Sequence, residues 1–243
     1  MKILIIVPVY NEQDNISNVI DDLNKDLPQV DILIINDGSV DKSLDIIINK
    51  NVEYISLPFN LGYSIALQTG YKYALENKYD YIIQFDGDGQ HIAKEANKML
   101  TIAKEQKGDI VIGSRFMEQN IFTHPFLRKI GRKILSFLIK LICNRNISDP
   151  TSGFQVINKK TLKYLCQIQY FPQFSDANLI IDIILKNYNV IETPVIMRQR
   201  QFGRSMYDGI LAPAKYIIMI FYSIVVVIVK HFLTIIRRNK FVN

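Results

Sequence analysis

The sequence predicts an α/β fold: a mainly parallel sheet with helices on both faces, plus a C-terminal hydrophobic helix. Three observations carry that expectation. Short apolar runs suited to strands buried on both faces open the chain at 2–7 and return at 32–35 and 80–85. Helix-length patterns separate these runs, the alternation expected when parallel strands are joined by crossovers. The C-terminal stretch differs in kind, with no charge between Tyr216 and Val229.

After the first strand the pattern reads as a helix over 14–25, a strand ending at Ile35, a helix over 41–49 and a strand over 52–57. A helix over 63–76, a strand over 80–85, a helix over 93–106 and a strand over 109–113 follow. Beyond Phe116 the pattern loosens into a basic helix over 127–142, a turn at Asp149-Pro-Thr-Ser-Gly-Phe154, two short helices and a strand over 190–197. At 243 residues the chain suits one sizeable α/β domain with an appendage.

Two cysteines, Cys143 and Cys166, lack metal-ligand spacing and fit a reduced cytoplasmic chain better than a disulfide scaffold. The first strand starts at the N-terminus, so a signal peptide would have to overlap the fold itself. The net charge of +6 is concentrated: no acidic residue falls between Gln119 and Ser148. At helical spacing Arg128, Lys129, Arg132, Lys133 and Lys140 share one side, opposite Leu127, Ile130, Ile134, Leu135, Phe137, Leu138, Leu141 and Ile142. That arrangement suits either an interfacial helix meeting anionic lipid or a surface helix with its apolar side on the core. Nucleic acid explains the basicity less well, because no reader motif accompanies it.

In the tail, Tyr216 to Ile236 as one helix reaches about 30 Å, just enough to cross a bilayer core. A crossing would carry Arg237, Arg238 and Lys240 outside, against the positive-inside tendency. A helix seated in the membrane surface, or packed on a small integral-membrane partner, therefore suits the tail better than a clean span.

The densest chemistry lies at 81–91, where a strand pattern breaks into Asp86-Gly-Asp88-Gly-Gln90-His91. Two carboxylates one residue apart can approach one hard cation, the glycines let a diphosphate come near the backbone, and Gln90 adds a neutral oxygen. An Asp-Gly hairpin turn would explain this segment alone. Two other strand ends argue against that explanation: the first strand runs into Pro8-Val-Tyr-Asn-Glu12 and the second into Asn36-Asp-Gly-Ser39. Ligands of open α/β sheets gather beyond the carboxyl ends of the strands.

With Asn60-Leu-Gly62, Gly113-Ser-Arg115, Thr151-Ser-Gly-Phe154 and Arg200-x-x-Gly203-x-Ser205, these segments form an ordered set from Lys2 to about Ser205. The set resembles the family 2 nucleotide-sugar glycosyltransferases of Rossmann-like GT-A fold, especially the polyprenyl- and dolichyl-phosphate mannosyltransferase-like branch. The resemblance implies transfer from a UDP- or GDP-linked sugar, with inversion at the anomeric carbon and Mg²⁺ or Mn²⁺. It implies a catalytic domain over 1–211, with its nucleotide and metal part over 1–116 and its acceptor part over 117–211. Residues 212–243 would then be a membrane-associating tail at the cytoplasmic face.

By the same resemblance Asp88 holds the metal with Asp86 and Gln90, while Pro8, Tyr10, Glu12 and Asp37 line the nucleoside pocket, joined there by Asp86. Arg115, Arg128 and Arg200 match arginines that meet donor or acceptor phosphates, a task suited to guanidinium. Arg132 is an alternative match for Arg128, and Met206 stands where relatives often carry lysine. Ser152 and Gly153 match acceptor- or phosphate-binding positions. A polyprenyl phosphate can attack unaided, whereas a sugar hydroxyl wants a base. Asp149 is the candidate base, with Asp176 behind it, and fixing the turn is its other reading. Asp41 reads as a helix cap, and His91 as a turn residue supporting the site.

A dehydrogenase would need a glycine fingerprint where Pro8-Val-Tyr-Asn-Glu12 stands. A nucleotidyltransferase would want a basic glycine-rich loop there. A non-catalytic membrane-bound scaffold of the same fold is the remaining alternative, and the intact Asp86/Asp88/Gln90 set argues against it.

Overall fold

A computed structural model describes residues 1–117, 126–168, 171–200, 202 and 211–240, with side chains at 126–128, 211–214 and 238–240 excepted. Its strands are β1 (Ile3–Val9), β2 (Asp31–Asn36), β3 (Glu53–Ser56), β4 (Tyr81–Gln84), β5 (Ile110–Ser114), β6 (Gln155–Asn158) and β7 (Val190–Pro194). They form one sheet in the order β3-β2-β1-β4-β6-β5-β7. The pairs β1–β2, β2–β3, β1–β4 and β5–β7 are parallel, and β6 runs antiparallel between β4 and β5. The sheet is thus mainly parallel, as the alternation predicts.

Strand β6 has no counterpart in the sequence reading. It is four residues long with polar ends, Gln155 and Asn158, too short for a period to show. Its placement matters for the site. Pairing of Gln84 with Gln155 carries the turn at 149–154 to the end of β4, directly against Asp86.

Successive side chains of a strand point to opposite faces, and β1 serves two cores in this way. Ile5, Val7 and Val9 meet Ile16, Ile20 and Leu23 of α1 (Ile16–Asp26), Ile47 of α2 (Ser43–Asn49) and Met99 of α4 (Ala93–Glu105). Leu4 and Ile6 join the other core with Leu67 and Tyr71 of α3 (Tyr63–Glu76). Around that second core lie α5 (Phe126–Cys143), α6 (Lys159–Gln167), α7 (Ala177–Leu185) and α8 (Leu211–Lys240).

Helix α5 corrects the expectation of one basic and one apolar side. Leu135 and Ile139 are buried, whereas Ile130, Ile134, Phe137 and Leu141 are exposed at helical spacing beside Lys129, Lys133 and Lys140. Arg132 turns inward, donating from Nη1 to the Ser148 carbonyl at 2.6 Å with its guanidinium 3.9 Å from the centre of the Phe116 ring. Among the described side chains, Leu138 and Ile142 pack beside Leu135 and Ile139, while the four exposed apolar residues stay outside the core.

Helix α8 spans 30 residues, about 45 Å. Ile220 and Ile224 are buried toward α7, while Ile218, Tyr222, Val225 and Phe232 face outward. The segment Lys215–Arg237 is long and apolar enough to cross a membrane by length and composition.

Candidate active site

The strand order reverses around β1, and the polar residues collect beyond the carboxyl ends of β1, β2, β4 and β5. Asp86 follows β4. Its Oδ1 accepts a hydrogen bond from the Tyr63 hydroxyl at 2.7 Å, which accepts one from Gln84 Nε2 at 2.9 Å. The Asp86 N–H donates to His91 Nδ1 at 2.9 Å, and His91 Nε2 lies 3.5 Å from Asp86 Oδ2. The His91 ring stacks on Phe154 with centroids 4.3 Å apart. Burial pushes its pKa down to about 4, so the imidazole is a neutral brace for the turn, in keeping with the supporting role read from sequence.

Asp88 accepts the Gln90 N–H at 3.0 Å, closing a tight turn. Burial raises the pKa of both Asp86 and Asp88, and Asp86 pushes Asp88 further up. Two crowded carboxylates in a half-buried turn are a site of unbalanced negative charge, which a divalent cation would relieve. Among the described residues no group of three or more His, Cys, Asp or Glu side chains could hold a metal. Asp86 and Asp88 are the carboxylates of this turn that could take part in holding an ion whose other ligands are water and substrate oxygens. Gly153 backs onto this turn: a Cβ there would meet the Tyr63 hydroxyl at 2.9 Å and Asp86 Oδ2 at 3.3 Å.

Glu12 lies across the cleft. Burial raises its pKa, and Asn15 and Arg200 oppose that rise. Its Oε2 accepts from Asn15 Nδ2 at 2.6 Å, and its Oε1 pairs with Arg200 Nη2. Arg200 also donates from Nε to the Phe202 carbonyl at 3.0 Å, and the Arg198 N–H donates to the Gln90 carbonyl at 2.8 Å. The chain leaving β7 therefore runs back over the segments that follow β1 and β4.

Asp37 is buried, and its two oxygens accept the Leu61 and Gly62 N–H groups, both at 2.8 Å. Its first job is to clamp the loop that launches α3. Replacing Asp37 by Ala removes the acceptor of two part-buried hydrogen bonds and costs about 1 kcal/mol for each. Urea unfolding should show that loss, and calorimetry should show weaker binding of UDP or GDP. Unchanged stability and affinity would remove Asp37 from the pocket.

On the far side, Arg115 follows β5 and meets Asp149 edge to edge: Nε to Oδ2 at 2.6 Å and Nη2 to Oδ1 at 2.8 Å. Asp149 is fully buried and also accepts from the Thr151 hydroxyl at 3.2 Å. Glu192 on β7 holds this turn from below, accepting the Asp149 N–H at 2.7 Å and the Ser148 hydroxyl at 2.9 Å. Asp176, the residue before α7, is pushed up to about 6 by burial and feels the charges of Arg115, Asp149 and Asp86.

The structure thus brings Glu12, Asp86, Asp88, Arg115 and Arg200 together beyond the strand ends, where their charges act on one another, with Gln90 closing the Asp88 turn and Asp149 fully buried behind Arg115. Tyr10 is exposed at the lip of the cleft, and Pro8 is buried within β1, shaping the strand end without opening onto it. Asp41 accepts the Ser43 N–H at 2.9 Å where α2 begins. Ser152 departs from its expected role, because its hydroxyl donates to the Gly113 carbonyl at 2.6 Å inside the turn. The Arg128 side chain, Gly203 and Ser205 lie outside the described residues. Tyr63, Glu192 and Tyr216 act through partners distant in sequence, Asp86, Asp149 and Asp176, so no local pattern marks them.

This fold is that of the GT-A glycosyltransferases. Glucosyl-3-phosphoglycerate synthase from Mycobacterium tuberculosis, solved with Mn²⁺, UDP and glucosyl-3-phosphoglycerate, superposes with a TM-score of 0.66 at 14% identity, over 95% of this chain and 79% of that one. The chain belongs to glycosyl transferase family 2, whose model matches residues 4–165, and it is a glycosyltransferase. A polyprenol monophosphomannose synthase of Mycolicibacterium smegmatis is 24% identical over 217 residues, covering 86% of this chain and 82% of the relative. An uncharacterized protein of Methanocaldococcus jannaschii is 32% identical over 163 residues, 67% of each chain.

Proposed function

We propose that the enzyme transfers a hexose from a UDP- or GDP-linked donor, with inversion, to a polyprenyl phosphate or another membrane-linked acceptor in cell-envelope polysaccharide assembly. The observation that carries the choice of acceptor is the Arg115–Asp149 pair. Both Asp149 oxygens are engaged by one guanidinium in a fully buried site, which disfavours Asp149 as a base for a hydroxyl. An acceptor phosphate needs no base, and Arg115 offers it a fixed positive charge. The Mycolicibacterium relative, named for a polyprenol monophosphate product, supports the same reading.

Asp88, Asp86 and Gln90 would hold Mg²⁺ or Mn²⁺, and the Mn²⁺ and UDP of the Mycobacterium tuberculosis synthase support a divalent ion here. Such an ion would offset the charge of a departing diphosphate. Tyr10, Glu12 and Asp37 border the nucleoside end, and Arg200 the diphosphate. Residues 1–211 act as the catalytic unit, and 212–243 seat it at the cytoplasmic membrane face. The exposed stripe Ile130, Ile134, Phe137 and Leu141 beside Lys129, Lys133 and Lys140 supports a second seat on anionic lipid.

The test uses full-length enzyme, Mn²⁺ and a donor panel of UDP-glucose, UDP-N-acetylglucosamine and GDP-mannose. Release of nucleoside diphosphate is followed with a short polyprenyl phosphate in anionic vesicles, and mass spectrometry identifies the lipid product. Removing residues after Ala212 should depress transfer to that lipid more than slow hydrolysis of the donor. Charge reversal at Lys129, Lys133 and Lys140 should weaken the preference for anionic vesicles. A protein that ignores vesicles and glycosylates a soluble sugar at full rate sinks the proposal and returns Asp149 to the role of base.

A further inference from the structure

Helix α7 begins at the cleft, and α8 lies along it. Asp176 stands at that beginning, and the neighbouring Ser175 hydroxyl is 3.3 Å from that of Ser64, the residue after the Tyr63 that holds Asp86. Asp176 therefore borders the cleft from the α7 side. Its partner comes from the tail: the Tyr216 hydroxyl donates to Asp176 Oδ2 at 2.9 Å. The Tyr216 ring meets Phe174 edge-on with centroids 5.0 Å apart. Further along α8, the Ser223 hydroxyl accepts from Asn178 Nδ2 at 2.7 Å; Ile220 is buried between the two polar contacts and Ile224 just beyond them. All these contacts reach the segment 174–178, while Ile218, Tyr222 and Val225 on the same helix turn outward.

We propose that Tyr216 is a positioning residue for sugar transfer: it orients the Asp176 carboxylate at the edge of the cleft, so turnover depends on how the tail helix docks against α7. The inference rests on reading the cleft between Asp86 and Arg115 as the site of transfer. An ionised carboxylate repels phosphate and accepts from hydroxyl groups, so the ligand it addresses is the sugar being transferred. A carboxylate left without its tyrosine could rotate away or turn toward Arg115. The groups facing Asp176 are Tyr216 from α8, Arg115 after β5, Asp149 before β6, Asp86 after β4 and Tyr71 from α3. Burial raises its pKa and the Tyr216 hydrogen bond lowers it. Loss of that bond moves the pKa up, so activity falls away at a higher pH as the medium is acidified.

The experiment compares Tyr216→Phe with the full-length wild type in anionic vesicles, using whichever of UDP-glucose, UDP-N-acetylglucosamine or GDP-mannose is turned over. Phenylalanine keeps the ring against Phe174 and removes only the hydroxyl. The expected result is a kcat lower by roughly tenfold, a donor KM within about twofold, and an acid limb moved to higher pH. Asp176→Asn should lower kcat and abolish that limb. Ser223→Ala cuts a second polar contact to the tail, the one with Asn178, without touching Asp176, and should keep the wild-type limb. A Tyr216→Phe enzyme with wild-type kcat and limb overturns the proposal, as does a Ser223→Ala enzyme that reproduces its shift. Asp88→Ala in parallel separates the two readings. An active Asp88→Ala, or a wild type that turns over none of the three donors, overturns the site itself. An unchanged Tyr216→Phe beside a dead Asp88→Ala overturns only the coupling to the tail.

Discussion

Asp88→Ala should abolish turnover, lowering kcat/KM by at least ~10³-fold, and leave the fold as stable as before or slightly more so. Asp88 sits on a turn outside both cores and accepts one hydrogen bond, from the Gln90 N–H. Its raised pKa means that the folded protein disfavours the ionised form, so the charged side chain costs stability at neutral pH. Removing it also relieves Asp86. Functional groups often carry such a cost. Thermal melting with and without Mn²⁺ plus UDP or GDP should show a ligand-dependent rise for the wild type that the variant loses. Wild-type turnover in the variant, or full activity of the native enzyme in excess chelator, would remove the cation from the reaction.

Arg115→Ala should do double damage. It leaves Asp149 buried without its cation, a loss of about 3–5 kcal/mol in comparable pairs, and it removes a fixed positive charge from the cleft. Turnover should drop by at least ~10²-fold. The double variant Arg115→Met with Asp149→Leu separates the two effects, since apolar replacement of a buried ion pair restores much of the stability. It should unfold at a urea concentration nearer the wild type and remain inactive. Recovery of turnover in the double variant would show that the pair serves the fold alone.

The parts of the molecule legible in the sequence are those governed by local pattern. Strands β1, β2 and β4 are buried on both faces and read as apolar runs, so Glu12, Asp37 and the Asp86–Asp88 pair could be placed at strand ends. Helix α3 was expected over the same residues it occupies, Tyr63–Glu76. What escaped depends on the order of strands. Strand β6 is defined by its neighbours β4 and β5, and its insertion brings Asp149 to Arg115 across 34 residues of sequence. The same limit applies to Asp37, whose oxygens look like ligands for a base until the Leu61 and Gly62 N–H groups are seen on them. Periodicity located α5 but could not tell Ile139, in the core, from Phe137, outside it, because packing against α7, distant in sequence, helps decide which side is covered.

The Glu12–Arg200 pair joins residues 188 positions apart, and it has a kinetic meaning. On the proposed reading of Arg200 as a diphosphate contact, an arriving donor exchanges one anion for another. Its grip is the difference between two ion pairs, and the raised pKa of Glu12 shows a carboxylate whose burial already works against its charge. The same exchange runs backwards after transfer. A released diphosphate competes with a tethered carboxylate that is always at hand, so the resting enzyme carries its own eluent for the product.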